Sequence, residues 1–84
     1  MDIEDVLCSK TRLKILNALI NSELTPSDIA KTVGVNYADA NEHLKILEAA
    51  GIISHIKFGK RIRYFKFNEA SHKAQAIRHL IETF

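Results

Sequence analysis

The residues best suited to chemistry in this 84-residue chain are five Lys and Arg side chains that lie close together. They are Lys57, Lys60, Arg61, Arg63 and Lys66, and residues 49–68 contain no Asp or Glu. Residues 1–48, by contrast, contain five Lys or Arg and eight Asp or Glu. An acid-free group of bases attracts polyanions, because each phosphate that it neutralises releases condensed counterions. The pattern favours phosphate contacts by all five, with an ordinary solvated face as the alternative.

A second set of polar side chains lies at the start of an expected helix over residues 36–51. Asn36 can cap its first turn, Asp39 stands where a capping-box acid would, and Gly51 suits the left-handed residue after the last turn. One face is an apolar stripe at helical spacing, formed by Ala40, Leu44, Leu47 and Ala50. The other face carries the side chains that we predict to read bases in the major groove of double-stranded DNA: Tyr37, Ala38, Asn41, Glu42 and Lys45.

These side-chain types have specific partners on base edges. Asn41 can pair with adenine, Glu42 can accept from cytosine, and Tyr37 or Ala38 can touch a thymine methyl group. The acids weaken the attraction to DNA but can sharpen specificity by rejecting wrong partners. The alternative interpretations are that Asp39 only caps the helix, which we favour, and that Glu42 only pairs with Lys45 or with solvent.

The elements that must position these residues follow from the hydrophobic periodicity. We predict helices over residues 2–7, 10–21, 25–34, 37–50 and 68–84, with Ser9, Thr25 and Asn36 as caps. A Gly-containing turn joins the third and fourth helices into a helix-turn-helix unit. The period changes to two over residues 52–58 and 61–67, which predicts a β-hairpin around a Gly59-Lys60 turn. Leu24 can add a short third strand.

The length suits one domain, residues 1–84, with residues 68–84 as a dimerisation helix within it. The last helix is longer than the small domain beneath it needs, and the apolar side of the first helix also requires a cover. We predict that a second copy of the chain supplies both covers and forms a homodimer. The predicted interface consists of Ile3, Val6, Leu7, Ile77, Leu80, Ile81 and Phe84. The alternative is that the last helix folds back onto its own domain.

Other functional classes have little support in the sequence. The chain has no nucleophile elbow, phosphate loop or convergent acid pair, so we predict neither an enzyme nor a cofactor. Its one cysteine, Cys8, excludes an internal disulfide framework and a Cys-rich zinc module. It is expected to be a small buried or half-buried thiol, with an inter-subunit disulfide or a redox switch as the alternatives. No apolar run approaches the ~20 residues of a membrane helix and the start, MDIEDV, is acidic, so we expect a cytoplasmic protein without a membrane partner.

A metal site is the remaining chemical alternative. His72 and His79 are seven residues apart and therefore share a helix face, with Glu82 three residues further on. Two such faces across a dimer can build a zinc site. Because histidine pairs on helices are usually surface residues, no metal site is predicted.

The order of helices, hairpin and final helix resembles the winged helix-turn-helix fold, and more narrowly the ArsR-type family of dimeric repressors from bacteria and archaea. The segments that carry the resemblance are SKTRLKIL (9–16), DIA (28–30), NEHLKILEAAGII (41–53) and GKRIRYF (59–65). The family implies an α+β, mostly α fold of about five helices with a two- or three-stranded wing. It also implies a symmetric dimer, built from the first and last helices, on an operator with two half-sites.

The chain departs from that family in two respects. Metal-sensing members carry cysteines near the short helix or His and acid ligands on the last helix, whereas residues 24–29 here contain no cysteine. Asp39 and Glu42 stand where the family usually has hydroxyl or basic side chains. The sequence therefore predicts a sequence-specific DNA-binding regulator, a repressor whose effector is not specified. The alternatives are a less specific DNA-coating protein, a metal-responsive sensor and a winged helix that binds only protein.

Overall fold

The computed structural model describes residues 8–83 and contains, over that range, four α-helices and one β-hairpin. The helices are α1 (Lys10–Ala18), α2 (Pro26–Val33), α3 (Tyr37–Ala49) and α4 (His72–Thr83). The strands are β1 (Ile53–Phe58) and β2 (Ile62–Phe67). The predicted α+β, mostly helical class is confirmed. The helix predicted over residues 2–7, with its interface residues Ile3, Val6 and Leu7, lies outside the described residues, as does Phe84.

Three helices begin at the caps that the sequence predicts. The hydroxyls of Ser9 and Thr25 each accept a hydrogen bond from the backbone N–H three residues later, at 3.2 Å. The side-chain oxygen of Asn36 does the same at 2.8 Å. Pro26 occupies the first turn of α2, where its missing N–H leaves no hydrogen bond unmade. These caps fix where α1, α2 and α3 start.

Two glycines in the left-handed region end the helices of the helix-turn-helix unit. Gly34, with φ of 82°, closes α2 and turns the chain into α3. After α3, Gly51 has φ of 77° and donates its N–H to the Glu48 carbonyl at 2.9 Å, while the Ile52 N–H reaches the Leu47 carbonyl at 3.1 Å. This pair of bonds is the Schellman motif, which satisfies carbonyls that the helix end leaves open. After this motif the chain continues directly into β1.

Two helix boundaries differ from the prediction. Helix α1 ends at Ala18 rather than near residue 21. Helix α4 begins at His72 rather than near residue 68, because Asn68 accepts from the Ala70 N–H at 3.2 Å and forms a turn. Ser71 is the residue that then accepts from the Ala74 N–H, also at 3.2 Å. Asn and Ser side chains compete with helix continuation in this way, so the helical pattern alone places the start too early.

The hairpin is antiparallel, with Ile53 opposite Phe67 and Phe58 opposite Ile62. Its loop therefore has three residues, 59–61, instead of the predicted two, and Arg61 lies in the loop. Leu24 forms a one-residue bridge on the other side of β2, exchanging backbone hydrogen bonds of 3.2 and 2.8 Å with Phe65. This confirms that Leu24 adds one residue pair to the hairpin, as an isolated bridge rather than as a third strand. The outer side of β1 pairs with no other segment in residues 8–83.

The core lies where the helices meet the base of the hairpin. Every helix and strand contributes to it, and the buried side chains are Ile15, Leu16, Leu19, Ile29, Ala30, Ala40, Leu44, Leu47, Ile52, Ile53, Phe65, Phe67, Ala74 and Ile77. Among residues 8–83, no polar or charged residue is buried as a whole. No helix in that range has the length and apolar character to cross a membrane. The core holds α3 by its back and leaves its other face open.

Candidate nucleic-acid interface

Helix α3 presents the predicted base-reading residues on its free face. Ala40, Leu44 and Leu47 are buried, as the apolar stripe predicts. The opposite face carries Tyr37, Ala38, Glu42 and Lys45, all exposed, together with the half-buried Asn41. Tyr37, at the first position of the helix, is 54% exposed. The open face is therefore concentrated at the N-terminal half of α3, the end that enters a groove in helix-turn-helix proteins.

The two acids near that end differ in their surroundings. Asp39 donates its backbone N–H to the Asn36 side chain at 2.8 Å, and its carboxylate accepts from Asn36 Nδ2 at 3.2 Å. The Asp39 carboxylate therefore contacts the capping side chain rather than the Asn36 backbone N–H that a capping box requires, so its part in the cap is through the Asn36 amide. Within residues 8–83, Glu42 makes no ion pair with Lys45, so its carboxylate is open to solvent. Glu42 is therefore the acid available to a base edge.

The hairpin of β1, β2 and their loop, residues 53–67 and here called the wing, has two different faces. Side chains alternate along a strand, so Lys57 and its partner Arg63 share a face with the buried Phe65. The opposite face is apolar near the tip and carries Ile56, Phe58, Ile62 and Tyr64. Phe58 is 58% exposed, and its ring meets that of Tyr64 edge to face at 5.3 Å.

The five predicted phosphate-binding residues therefore fall into two groups. Lys60 and Arg61 are exposed in the tip loop, and Lys57 and Arg63 lie just below them on the face that bears Phe65. Lys66 lies on the opposite face and is half-buried near the base of the wing, in a shallow depression that it shares with Glu23 and Glu69. The structure brings four of the five bases together and separates Lys66 from them.

Two polar contacts join the wing to α3. Arg63 donates from Nη2 to Asn41 Oδ1 at 3.3 Å, and the His55 Nδ1 atom hydrogen-bonds Glu48 Oε2. Asn41 and Glu48 are seven residues apart, so they lie two turns apart on the same side of the helix. The ring of Phe65 lies between the contacts, 5.4 Å from both the His55 ring and the Arg63 guanidinium carbon. The wing is braced against the helix at two points.

Sequence reasoning did not anticipate these braces. Asn41 and Arg63 were singled out only as separate DNA contacts, and Glu48 and His55 were not assigned any role. The available signal was the two-residue alternation that places His55 and Arg63 on the face of Phe65 and Phe67. To predict that this face packs on α3, however, one must know the packing angle between the hairpin and the helix, which no local pattern specifies.

A sequence profile described as "Bacterial regulatory protein, arsR family" matches residues 9–55, which span α1 to the middle of β1. The chain belongs to the ArsR family. It is 36% identical over 61 residues to the cadmium resistance transcriptional regulatory protein CadC of Listeria innocua, covering 71% of this chain and 51% of that protein. It is 29% identical over 76 residues to the regulator CmtR of Mycobacterium tuberculosis, covering 90% of this chain and 63% of CmtR. The chain thus spans about half to two thirds of these relatives.

Solved structures show the same fold in other proteins. A homodimeric winged helix-turn-helix DNA-binding domain from Mycobacterium bovis, described as a possible ArsR-family regulator, superposes with a TM-score of 0.80 at 22% identity, covering 95% of this chain and 71% of that one. The transcriptional repressor BigR of Xylella fastidiosa gives a TM-score of 0.82 at 18% identity, covering 96% and 78%. The winged helix-turn-helix expectation is confirmed.

In this ArsR-family chain, the predicted interface residues of the last helix do not share one environment. Ile77 is only 1% exposed and packs in the core of the single chain, although it also lines the apolar depression beside Leu80, so its place in a dimer interface stays a prediction. Ile81 is partly buried against the same core. Leu80 is 37% exposed and lies with Ala76 and Thr83 along a shallow apolar depression. The face that packs on the domain and the face that stays open are adjacent sides of α4.

The residues considered for a metal site, His72, His79 and Glu82, all lie on α4. Glu82 accepts a hydrogen bond from Arg78 Nε at 2.8 Å, so its carboxylate already has a cationic partner. His72 and His79 are both exposed. Within the described part of the chain, no three His, Cys, Asp or Glu side chains lie close enough together to hold a metal ion. Cys8 is exposed rather than half-buried.

Proposed function

We propose that this ArsR-family chain is a sequence-specific regulator of transcription that binds double-stranded DNA in the cytoplasm as a homodimer. Helix α3 enters the major groove and reads bases with Tyr37, Ala38, Asn41, Glu42 and Lys45. The wing contacts the phosphate backbone through Lys57, Lys60, Arg61 and Arg63. Lys66 is left out of that set because it lies on the other face of the wing, along a depression that Glu23, Glu69 and Arg78 also line.

The observation that carries this proposal is the juxtaposition of the open face of α3 with an acid-free basic wing. Arg63 physically links the two, since its guanidinium touches both Asn41 and the face of Phe65. Phosphate contacts position a protein on DNA, and base contacts supply the specificity. Both types of side chain lie here on one side of the domain, held by a common core. A duplex can therefore meet them simultaneously.

The homodimer is supported by the open part of α4. Leu80 is exposed beside an apolar depression on the outer side of α4. A helix of a second copy would cover this surface. A two-fold pair presents two copies of α3, so the preferred DNA contains two half-sites related by the same symmetry. We propose repression as the outcome, because a dimer bound to an operator occupies DNA that the transcription machinery would otherwise contact.

Selection from a random pool of duplexes tests this function. The purified chain should retain fragments that share an inverted repeat, and its affinity should fall steeply as salt concentration rises. Bulk non-specific DNA should compete only at ratios of 10³ or more, roughly the range of specific regulators. A chain that retains all sequences equally is the DNA-coating alternative. A chain that binds no duplex in dilute buffer belongs to the protein-binding class.

A further inference from the structure

The contact between Arg63 and Asn41 places a cation beside one end of a predicted base-reading amide. Arg63 lies two residues before Phe65 in β2, on the same face of the wing. Its guanidinium carbon is 5.4 Å from the centre of the Phe65 ring. From there Nη2 donates to Asn41 Oδ1 at 3.3 Å. Both side chains are half-buried. Stacking on an aromatic face restrains the guanidinium and so restrains the hydrogen bond that it makes.

The chemistry of arginine determines which way the Asn41 amide points. A guanidinium only donates hydrogen bonds, so the atom of Asn41 that meets it must be the carbonyl oxygen. The NH₂ group is consequently turned away from the wing. Within residues 8–83, Asn41 Nδ2 has no hydrogen-bond partner. The free edge of Asn41 therefore offers two donors, while its oxygen already accepts one hydrogen bond and lies next to a positive charge.

We propose that Arg63 is a specificity-determining residue that acts by orienting Asn41, an inference that rests on the proposed DNA-binding function. Asparagine reads adenine by accepting from N6 and donating to N7, whereas guanine offers two acceptors, N7 and O6. The N6 amino group of adenine would have to share that oxygen with Arg63 and approach it beside the guanidinium, because only the second lone pair is left. The two free N–H groups of Asn41 match guanine instead. The wing thereby changes the base preference of the helix without touching the base.

This role differs from a phosphate contact in what it predicts. A phosphate contact alters affinity for every sequence equally and changes the salt dependence. An orienting contact alters the preference at one base pair of each half-site. Arg63→Lys keeps the positive charge and removes the planar guanidinium group that donates to Asn41 Oδ1. Arg61→Lys is the matched control, because it makes the same chemical change in the exposed tip loop.

The experiment selects duplexes from a random pool with the wild-type chain and with Asn41→Ala, Arg63→Lys and Arg61→Lys. The Asn41→Ala selection identifies the base pair that loses its preference. At that pair the wild type should favour guanine, and Arg63→Lys should shift the guanine-to-adenine ratio towards adenine by about fivefold or more, the lower end of one base contact. Arg61→Lys should leave the ratio unchanged. In the Asn41→Ala background, Arg63→Lys should also leave it unchanged.

The contact is also measurable without DNA. The side-chain NH₂ resonances of Asn41 in the free protein should move in Arg63→Lys and stay in place in Arg61→Lys. Backbone amide dispersion in the same spectra verifies the fold, and Arg63→Met, which lacks any donor, repeats the test if the lysine variant unfolds. Unmoved Asn41 resonances overturn the proposal, and so does a wild-type preference for adenine or an unchanged ratio in Arg63→Lys. A wild type that binds no duplex removes both this proposal and the function on which it rests.

Discussion

The separation of the wing bases into two groups makes a quantitative prediction for two lysines. Lys60 lies exposed in the tip loop, whereas Lys66 is half-buried on the opposite face with Glu23 and Glu69 nearby. Lys60→Ala removes two phosphate contacts from a homodimer. Because each contact contributes about 0.9 to the steepness of log K against log salt, the line becomes flatter by about 1.8. Between 50 and 200 mM salt, a slope difference of that size amounts to about 12-fold in affinity. Lys66→Ala should leave the slope unchanged.

Fluorescence anisotropy with a labelled operator, measured at several salt concentrations, checks this prediction. Both variants lose one positive charge per chain, so a general effect of net charge would lower both slopes equally. Thermal unfolding of each variant verifies that the fold is intact. The assignment of the wing faces is wrong if Lys66→Ala flattens the salt dependence as much as Lys60→Ala does. It is equally wrong if neither variant does so while wild-type binding remains salt-dependent.

Three further predictions concern stability and assembly. Asn36→Ala removes the cap of α3 and should lower the free energy of unfolding by about 0.5–2 kcal/mol in a denaturant titration, whereas Asn21→Ala, in an exposed turn, should lower it far less. Ile77→Ala opens a cavity in the core and should cost roughly 2–5 kcal/mol by the same measurement; a cost near zero would place this side chain outside the core. Leu80→Glu should elute as a monomer on gel filtration while keeping its helical circular dichroism, and a persisting dimer would locate the interface elsewhere.

Local signals were sufficient for the helices that carry the proposed interface. A cap side chain and a glycine with positive φ bound α3, and each acts over three or four residues, so reading the sequence finds them. The stripe of Ala40, Leu44 and Leu47 likewise follows from helical spacing alone. The open face of α3 is what remains once that stripe is buried. Its predicted residues therefore agree with the exposed side of the helix.

Features that depend on two elements could not be obtained in this way. The alternation in β2 does not tell which face meets α3, so Lys66 was grouped with bases that point elsewhere. In α4, the apolar stripe has the same periodicity whether it faces its own core or a second chain, so the pattern alone does not separate a core residue such as Ile77 from the exposed Leu80. The start of α4 depends on Asn68, whose side chain also donates to the Gly51 carbonyl at 3.1 Å. That bond spans 17 residues, beyond the reach of a local pattern.

The side of β1 that pairs with no segment of residues 8–83 affects how copies of this chain behave without DNA. An open strand edge is a template for strand addition, and the exposed Phe58 at the end of β1, with its partner Ile62 on β2, adds apolar surface that favours such association. Lys57, on that same strand, and Lys60 repel an approaching copy that carries identical charges. The lysines proposed to bind phosphates are thus also expected to oppose aggregation of copies through this edge. Light scattering should accompany every experiment that neutralises them.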